Sequence, residues 1–146
     1  REGWSRFCWQ DGSDLAMHTH HAYVGLRDLE QEEVALIERL QPLSISVDEL
    51  RQNGVQAAFD TIAARLDHLD AWFVSFDTDS IEGELVPGTG LPVADGLSRE
   101  QILEFMKLFS QHPKTALIEV TEFNPSLDVN RKTETLIADL ITRCEG

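Results

Sequence analysis

Short apolar runs and longer amphipathic segments alternate along the chain from residue 22 onward. The apolar runs are typical of buried strands and cover 22–26, 43–47, 71–76 and 115–120. Segments in which apolar residues recur every three or four positions predict helices over 30–40, 55–68, 98–112 and 131–144. Because strands and helices alternate, the pattern predicts an α/β fold in which helices cover the faces of a parallel sheet.

The third apolar run and the segment after it are the most distinctive part of this pattern. The run 71–76 is apolar except for Ser75, which predicts a central strand covered on both faces. The loop over 77–97 is rich in glycine and proline, and unstructured loops of this length are usually functional. Ser98 and Gln101 form a capping-box pair that begins the third helix.

Periodicity also predicts which side chains face the core. The first helix is expected to bury Val34, Ile37 and Leu40. The expected buried face of the second helix is Val55, Ala58, Phe59, Ile62 and Leu66. In the last helix the inward residues are expected to be Leu136, Ile137, Leu140 and Ile141. A short helical turn after the second strand is expected to have Asp48 as its N-cap.

Composition and charge narrow the classes of function. The 26 acidic and 12 basic side chains give a formal net charge of −14, whose field repels phosphate backbones and anionic lipid. We therefore expect neither nucleic-acid nor membrane binding, and cations are the natural partners. Cys8 and Cys144 cannot form a disulfide framework, and no apolar run approaches a membrane span, so we expect a cytoplasmic protein.

Acidic side chains follow three of the predicted strands. Asp28 and Glu30 come after the first strand, Asp77 and Asp79 after the third, and Glu122 after the fourth. Because the carboxyl ends of parallel strands meet at one edge, we expect these groups to lie close together around a cation. On an extended backbone Asp77 and Asp79 would share a face and could bind magnesium or manganese. A solvated loop that starts with an Asx turn is the alternative.

Three histidines near the start of the chain are further candidate ligands: His18, His20 and His21. His18 and His20 share a face if the segment is extended, and their imidazoles could then chelate a metal ion. The alternative is a polar segment that leads into the first strand. Residues 1–21 show no clear periodicity, so we expect an irregular lead-in.

Several of these segments are similar to the motifs of one enzyme family. The stretch SFDTDSIEGELVPGTGLPVADG, residues 75–96, resembles the signature of the ureohydrolase superfamily, which comprises arginases, agmatinases and formimidoylglutamases. The matching positions are Ser75, Phe76, Asp77, Asp79, Pro87, Gly88 and Gly96. AYVGLRD (22–28) and TEFNPSLD (121–128) also look like arginase motifs, and the resemblance extends over 22–146.

The resemblance implies a fold, a cofactor and roles for the acidic residues. The fold would be the three-layer αβα arrangement of arginases, with a parallel sheet. Asp77 and Asp79 would be ligands of a dinuclear manganese centre, with Asp77 bridging both ions. Glu122 would pair with the guanidinium or amidino group of the substrate, and Asp28 and Glu30 would help to receive its amino-acid end. No catalytic acid or base is assigned.

The chain lacks the family's two other ligand motifs, Gly-Gly-Asp/Glu-His and Asp-Ala-His-x-Asp. We therefore expect 1–146 to be the C-terminal portion of a single domain, which forms a homo-oligomer or joins a missing N-terminal half. The full-length protein is expected to hydrolyse arginine to ornithine and urea. The alternatives are formimidoylglutamase or another ureohydrolase, an inactive fragment or subunit, and a phosphatase of the aspartyl-phosphate type, whose nucleophile motif DTDS superficially fits.

Overall fold

The computed structural model describes residues 20–144, so Cys8, His18 and the rest of the predicted lead-in up to residue 19 lie outside the described part. The strands are β1 (Ala22–Val24), β2 (Leu43–Ile45), β3 (Trp72–Asp77) and β4 (Thr115–Thr121). The α-helices are α1 (Gln31–Leu40), α2 (Val47–Asn53), α3 (Val55–Leu66), α4 (Arg99–Gln111) and α5 (Lys132–Cys144). In this part of the chain, no helix has the length and apolar character needed to cross a bilayer.

The described strands form two parallel pairs rather than one continuous sheet. β1 pairs with β2, and β3 pairs with β4, with Asp77 opposite Thr121 at the carboxyl end. Within residues 20–144 the two pairs are not hydrogen-bonded to each other. Parallel strands connected through helices confirm the α/β class, whereas the single sheet expected from the sequence is not formed by these strands alone.

The hydrophobic core lies between the helices and one face of the strands. Every α3 residue predicted to face inward is buried: Val55, Ala58, Phe59, Ile62 and Leu66. The buried residues of α4 are Ile102, Leu103, Phe105 and Met106. Phe59 and Phe109 meet edge-on with ring centroids 5.2 Å apart, and Trp72 stacks on His112 at 4.0 Å. These aromatic contacts pack the start of β3 against α3 and the end of α4.

The other face of β3 and β4 is exposed, so the predicted cover on both faces of the third strand is wrong for the described part of the chain. Phe73 and Leu117 are 59% and 57% exposed, because side chains alternate along a strand and the helices cover one face. α1 forms as predicted but has no buried residue, and Val34 is exposed. On α5, Ile141 is exposed against expectation, whereas Thr133 is fully buried.

Capping hydrogen bonds determine where α2 and α4 begin. The N-cap of α2 is Ser46 and not Asp48, because the Ser46 hydroxyl accepts from the Glu49 N–H at 3.2 Å and Glu49 accepts from the Ser46 N–H at 2.7 Å. Asp48 lies inside the first turn. The predicted capping box of α4 is confirmed, since the Ser98 N–H donates to Gln101 at 2.8 Å.

The long loop predicted over 77–97 is an ordered segment in the structure. It begins with a 3-10 turn, Thr78–Ser80, and its two arms then pair at Ile81 and Leu97. The Glu82 N–H donates to the Leu97 carbonyl at 3.0 Å, and Ile81 is fully buried. Buried side chains and backbone hydrogen bonds thus give this segment a defined conformation.

Gly96 lies where the two arms of this segment approach most closely. A Cβ atom at this residue would be 2.3 Å from the backbone carbon of Ile81 and 2.4 Å from the nitrogen of Glu82. Because both neighbours are backbone atoms, they cannot move aside as the end of a flexible side chain could. Glycine is therefore required at this position, because there is no room for a Cβ atom.

We expect Gly96→Ala to lower the free energy of unfolding by about 1–3 kcal/mol, the usual cost of overpacking. Gly90→Ala is the matched control, because a Cβ at Gly90 meets nothing within 4 Å. Denaturant unfolding of both variants measures the difference. Equal stability of the two variants would contradict the close approach of the arms.

Candidate functional site

The two aspartates are brought together by a tight turn. Asp77 is the last residue of β3, and Asp79 lies in the 3-10 turn that follows, so the extended backbone assumed in the sequence argument is wrong for Asp79. The Asp79 N–H donates to Asp77 Oδ1 at 2.8 Å, which is the hydrogen bond of an Asx turn. The Ser80 hydroxyl donates to the Asp77 carbonyl at 2.6 Å and fixes the turn.

Asp79 has an unsatisfied carboxylate oxygen. Its Oδ1 atom is buried and has no hydrogen-bond partner among the described residues. Burial raises the pKa of Asp79 above its ordinary value, and the negative charges of Asp77 and Glu122 raise this pKa further. A bound cation would satisfy the oxygen and reverse the electrostatic penalty, so the Asx turn and a cation site are compatible at this position.

Glu122 is the third carboxylate of this cluster. It follows β4, and its charge acts on Asp79. Its backbone is in the left-handed region, with φ of 59°, which is uncommon for a residue other than glycine, asparagine or aspartate. The exposed side chain is available to a ligand that approaches the carboxyl ends of β3 and β4.

The other two predicted site residues, Asp28 and Glu30, lie on the segment between β1 and α1. Asp28 is exposed with a left-handed φ of 53°. The Glu30 N–H donates to Glu33 Oε2 at 2.9 Å, so Glu30 is the N-cap of α1. In the described part of the chain, no hydrogen bond or ion pair connects Asp28 or Glu30 to Asp77 or Asp79. The structure therefore brings Asp77, Asp79 and Glu122 together, and Asp28 and Glu30 stay predictions.

Arg27 also lies at this site, although no sequence pattern predicted a role for it. Its guanidinium donates to the backbone carbonyls of Asp79, Ile81, Val93 and Ala94. These bonds place the end of β1 beside the turn that carries Asp79. The one available signal was a basic side chain among acidic strand ends, which did not indicate that its partners are backbone atoms.

Of the three candidate histidines, His18 lies outside the described residues, and His20 and His21 form no metal-binding group with the aspartates. The ring of His20 contacts the ring of His68 with centroids 5.3 Å apart, and His21 stacks on Tyr23 at 6.1 Å. Over residues 20–144 no group of three or more histidine, cysteine or acidic side chains is arranged to hold a metal ion. A full coordination sphere would thus need donors in addition to those of Asp77 and Asp79.

A second set of contacts fixes the loops beside the site. The Gly88 N–H donates to the Thr133 hydroxyl at 2.8 Å, and the Asn124 N–H donates to the Gly88 carbonyl at 2.7 Å. The Asp128 carboxylate accepts from the N–H groups of Thr133 and Glu134 at 3.0 and 2.9 Å, at the start of α5. The loop after β4, the turn at Gly88 and α5 therefore form one hydrogen-bonded unit.

Comparison with known proteins defines the family. The sequence model of the arginase family matches residues 5–145, so this chain belongs to the arginase family. Its fold is accordingly an arginase-like α/β fold, and the chain forms part of a domain with that fold.

The relatives include proteins named arginase and proteins named formimidoylglutamase. The arginase of Plasmodium falciparum is 25% identical over 127 residues, which make up 84% of this chain and 30% of that protein. The formimidoylglutamase of Geobacillus kaustophilus is 32% identical over 91 residues, or 62% of this chain and 28% of that protein. The solved structure of Helicobacter pylori arginase aligns with a TM-score of 0.83 at 27% identity, covering 92% of this chain and 44% of the other. The chain thus spans less than half the length of each of these relatives.

We expect Asp128→Asn to weaken α5 at neutral pH, because it removes the negative charge at the helix start. Desolvation raises the pKa of Asp128, but the hydrogen bonds from the backbone N–H groups of Glu134 and Thr133 together outweigh it, so the net shift is below the ordinary value. A lowered pKa gives stability that is present above the unfolded-state value, about pH 4, and is lost as the pH falls through the folded-state value.

The difference in unfolding midpoint between the natural protein and Asp128→Asn should therefore be largest at neutral pH and shrink in acid. Asp70→Asn is the control, since Asp70 is exposed and makes no hydrogen bond or ion pair in the described part of the chain. A difference that stays constant from neutral pH to pH 3 would show that the charge of Asp128 does not stabilise the helix.

Proposed function

We propose that the protein carrying this chain is a ureohydrolase that hydrolyses the guanidino C–N bond of arginine to give ornithine and urea, with manganese as cofactor. The observation that carries this proposal is the buried, unpartnered Oδ1 of Asp79 beside Asp77 at the end of β3. Two carboxylates in a tight turn are costly without a cation and suitable with one.

Asp77 and Asp79 are the residues that would hold manganese. Their oxygen donors suit a hard divalent ion, and the raised pKa of Asp79 reflects the burial and negative charge that such an ion would offset. When bound, manganese would lower the pKa of a coordinated water and so supply a nucleophile near neutral pH. A dinuclear centre needs further ligands, which we propose come from polypeptide outside residues 20–144.

Glu122 is proposed to orient the substrate. A carboxylate can accept two parallel hydrogen bonds from a guanidinium or amidino group, and the exposed Glu122 follows β4 close enough for its charge to act on Asp79. Asp28 and Glu30 are proposed to receive the amino-acid end of the substrate. The hydrogen bond from Arg27 to the Asp79 carbonyl supports this proposal, because Asp28 is the next residue along the chain.

Arginine is the proposed substrate because the strand end reads Gly-Leu-Arg-Asp over 25–28, as in arginases. Formimidoylglutamate is the second candidate, favoured by the 32% identity to a protein named formimidoylglutamase. Both substrates present a planar nitrogen-bearing group to Glu122, so they differ in what the segment after β1 must recognise.

We also propose that residues 1–146 form the C-terminal portion of a larger domain and work in an assembly, as a homo-oligomer or with an N-terminal half. The support is a cavity of about 510 Å³ lined by residues of β1 and β3, two strands that the described part leaves unpaired with each other. Unpaired strand edges favour association. By the same reasoning the isolated chain would be inactive.

The proposed compartment is the cytoplasm, where proteins with few cysteines and no disulfide framework are common.

The native polypeptide that contains this chain, supplied with manganese, is expected to release urea from arginine. Loss of a residue that hydrogen-bonds a metal ligand typically reduces activity by about 10- to 100-fold. Asp77→Asn and Asp79→Asn should each reduce the activity by more than this, because each removes a donor to the ion itself. Asp95→Asn is the control, since it lies in the same segment with an exposed side chain. Full activity after metal removal would contradict the proposal, whereas activity on formimidoylglutamate alone would change the substrate and retain the class.

The isolated chain is expected to bind manganese weakly, because Asp77 and Asp79 are part of an incomplete ligand set. Isothermal titration of the chain with manganese measures the affinity, and analytical ultracentrifugation of the same sample should find species larger than a monomer. Tight binding of two ions by a monomeric chain would overturn both the incomplete site and the proposed assembly.

A further inference from the structure

Arg27 lies three residues beyond the end of β1 and reaches across to the segment 77–97. Its Nη2 atom donates to the carbonyl oxygens of Asp79 at 2.5 Å, Ile81 at 2.9 Å and Val93 at 3.0 Å. Its Nε atom donates to the carbonyl oxygen of Ala94 at 3.2 Å. Within residues 20–144, every hydrogen-bond acceptor of this guanidinium is therefore a backbone carbonyl of that one segment.

The four acceptors come from both arms of the segment. Asp79 and Ile81 belong to the arm that leaves β3, and Val93 and Ala94 belong to the arm that returns towards α4. One planar group thus fixes the two arms relative to each other and relative to β1. Its contact at Asp79 is on the peptide of the residue whose carboxylate holds the buried, unpartnered oxygen.

We propose that Arg27 is a positioning residue, which fixes the backbone at Asp79 so that its carboxylate is preorganised to bind a divalent cation. The inference rests on the proposed function, since it concerns the same cation. Arg27 itself would touch neither the ion nor the substrate in this role. It would act as outer-sphere partners of metal ligands do, by fixing the orientation of a donor.

A purely electrostatic role for Arg27 predicts the opposite result. A guanidinium close to a cation site repels the incoming ion, so its removal would strengthen metal binding if charge were the dominant effect. If the hydrogen bonds are dominant, removal weakens binding because the donor loses its fixed orientation. The sign of the change in affinity therefore distinguishes the two roles.

The test is isothermal titration of the native polypeptide with manganese. Arg27→Met should weaken binding by about 10- to 100-fold, the usual effect of losing an outer-sphere partner. Arg27→Lys keeps the charge but not the planar fork, so it should also bind more weakly than the natural protein. Arg99→Met is the matched control, because Arg99 pairs with Asp139 between α4 and α5. Unchanged or tighter binding by Arg27→Met would overturn the proposal.

Hydrogen exchange without metal gives a second measurement. In Arg27→Met, the amides of Glu82 and Leu97, which pair the two arms, should exchange faster than in the natural protein and in Arg99→Met. Unchanged protection of α3 shows that Arg27→Met is folded. If α3 loses protection, the same measurement is made on Arg27→Lys. Unchanged exchange at Glu82 and Leu97 would overturn the positioning role.

Failure of the proposed function has a different result. If the natural protein does not bind manganese, the metal assignment is wrong whatever Arg27 does. The exchange measurement, made without metal, then still decides whether Arg27 fixes the segment.

Discussion

The position of Asp79 depends on the hydrogen bonds that hold the segment 77–97 against the end of β1. This segment contains one short 3-10 turn and one isolated bridge, so its conformation comes from a few specific contacts rather than from a repeated ladder. Two are decisive: the close approach of Gly96 to Ile81, and the convergence of backbone carbonyls on Arg27. The first excludes a side chain, and the second requires a planar set of donors.

This constraint explains how a site can form between two strand pairs that do not pair with each other. β1 and β3 are not hydrogen-bonded neighbours in the described part of the chain, so sheet register does not fix their ends relative to each other. The Arg27 side chain supplies that fixed relation at the carboxyl end, where the carboxylates lie. The exposed faces of α1 and of the β3–β4 pair agree with a chain that spans less than half the length of its relatives.

The sequence was sufficient wherever a local pattern decides the structure. The 3.6-residue period of α3 and the Ser98 capping box predict their elements correctly, because neighbouring residues determine them. It was insufficient where partners are distant in sequence. The backbone acceptors of Arg27 lie more than 50 positions away, and apolar periodicity in α1 could not show whether another surface covers that helix. The shared face of Asp77 and Asp79 was predicted from an extended backbone, which is wrong because Asp79 lies in a turn.

The left-handed backbone of Glu122 places stability and chemistry in competition at one residue. Glycine adopts a φ of 59° without the steric cost that a glutamate side chain incurs, so on backbone grounds alone glycine would be the favoured residue. The replacement that relaxes the chain is also the one that removes the carboxylate from the edge of the site. Selection for a more stable fold would therefore act against the group proposed to hold the substrate.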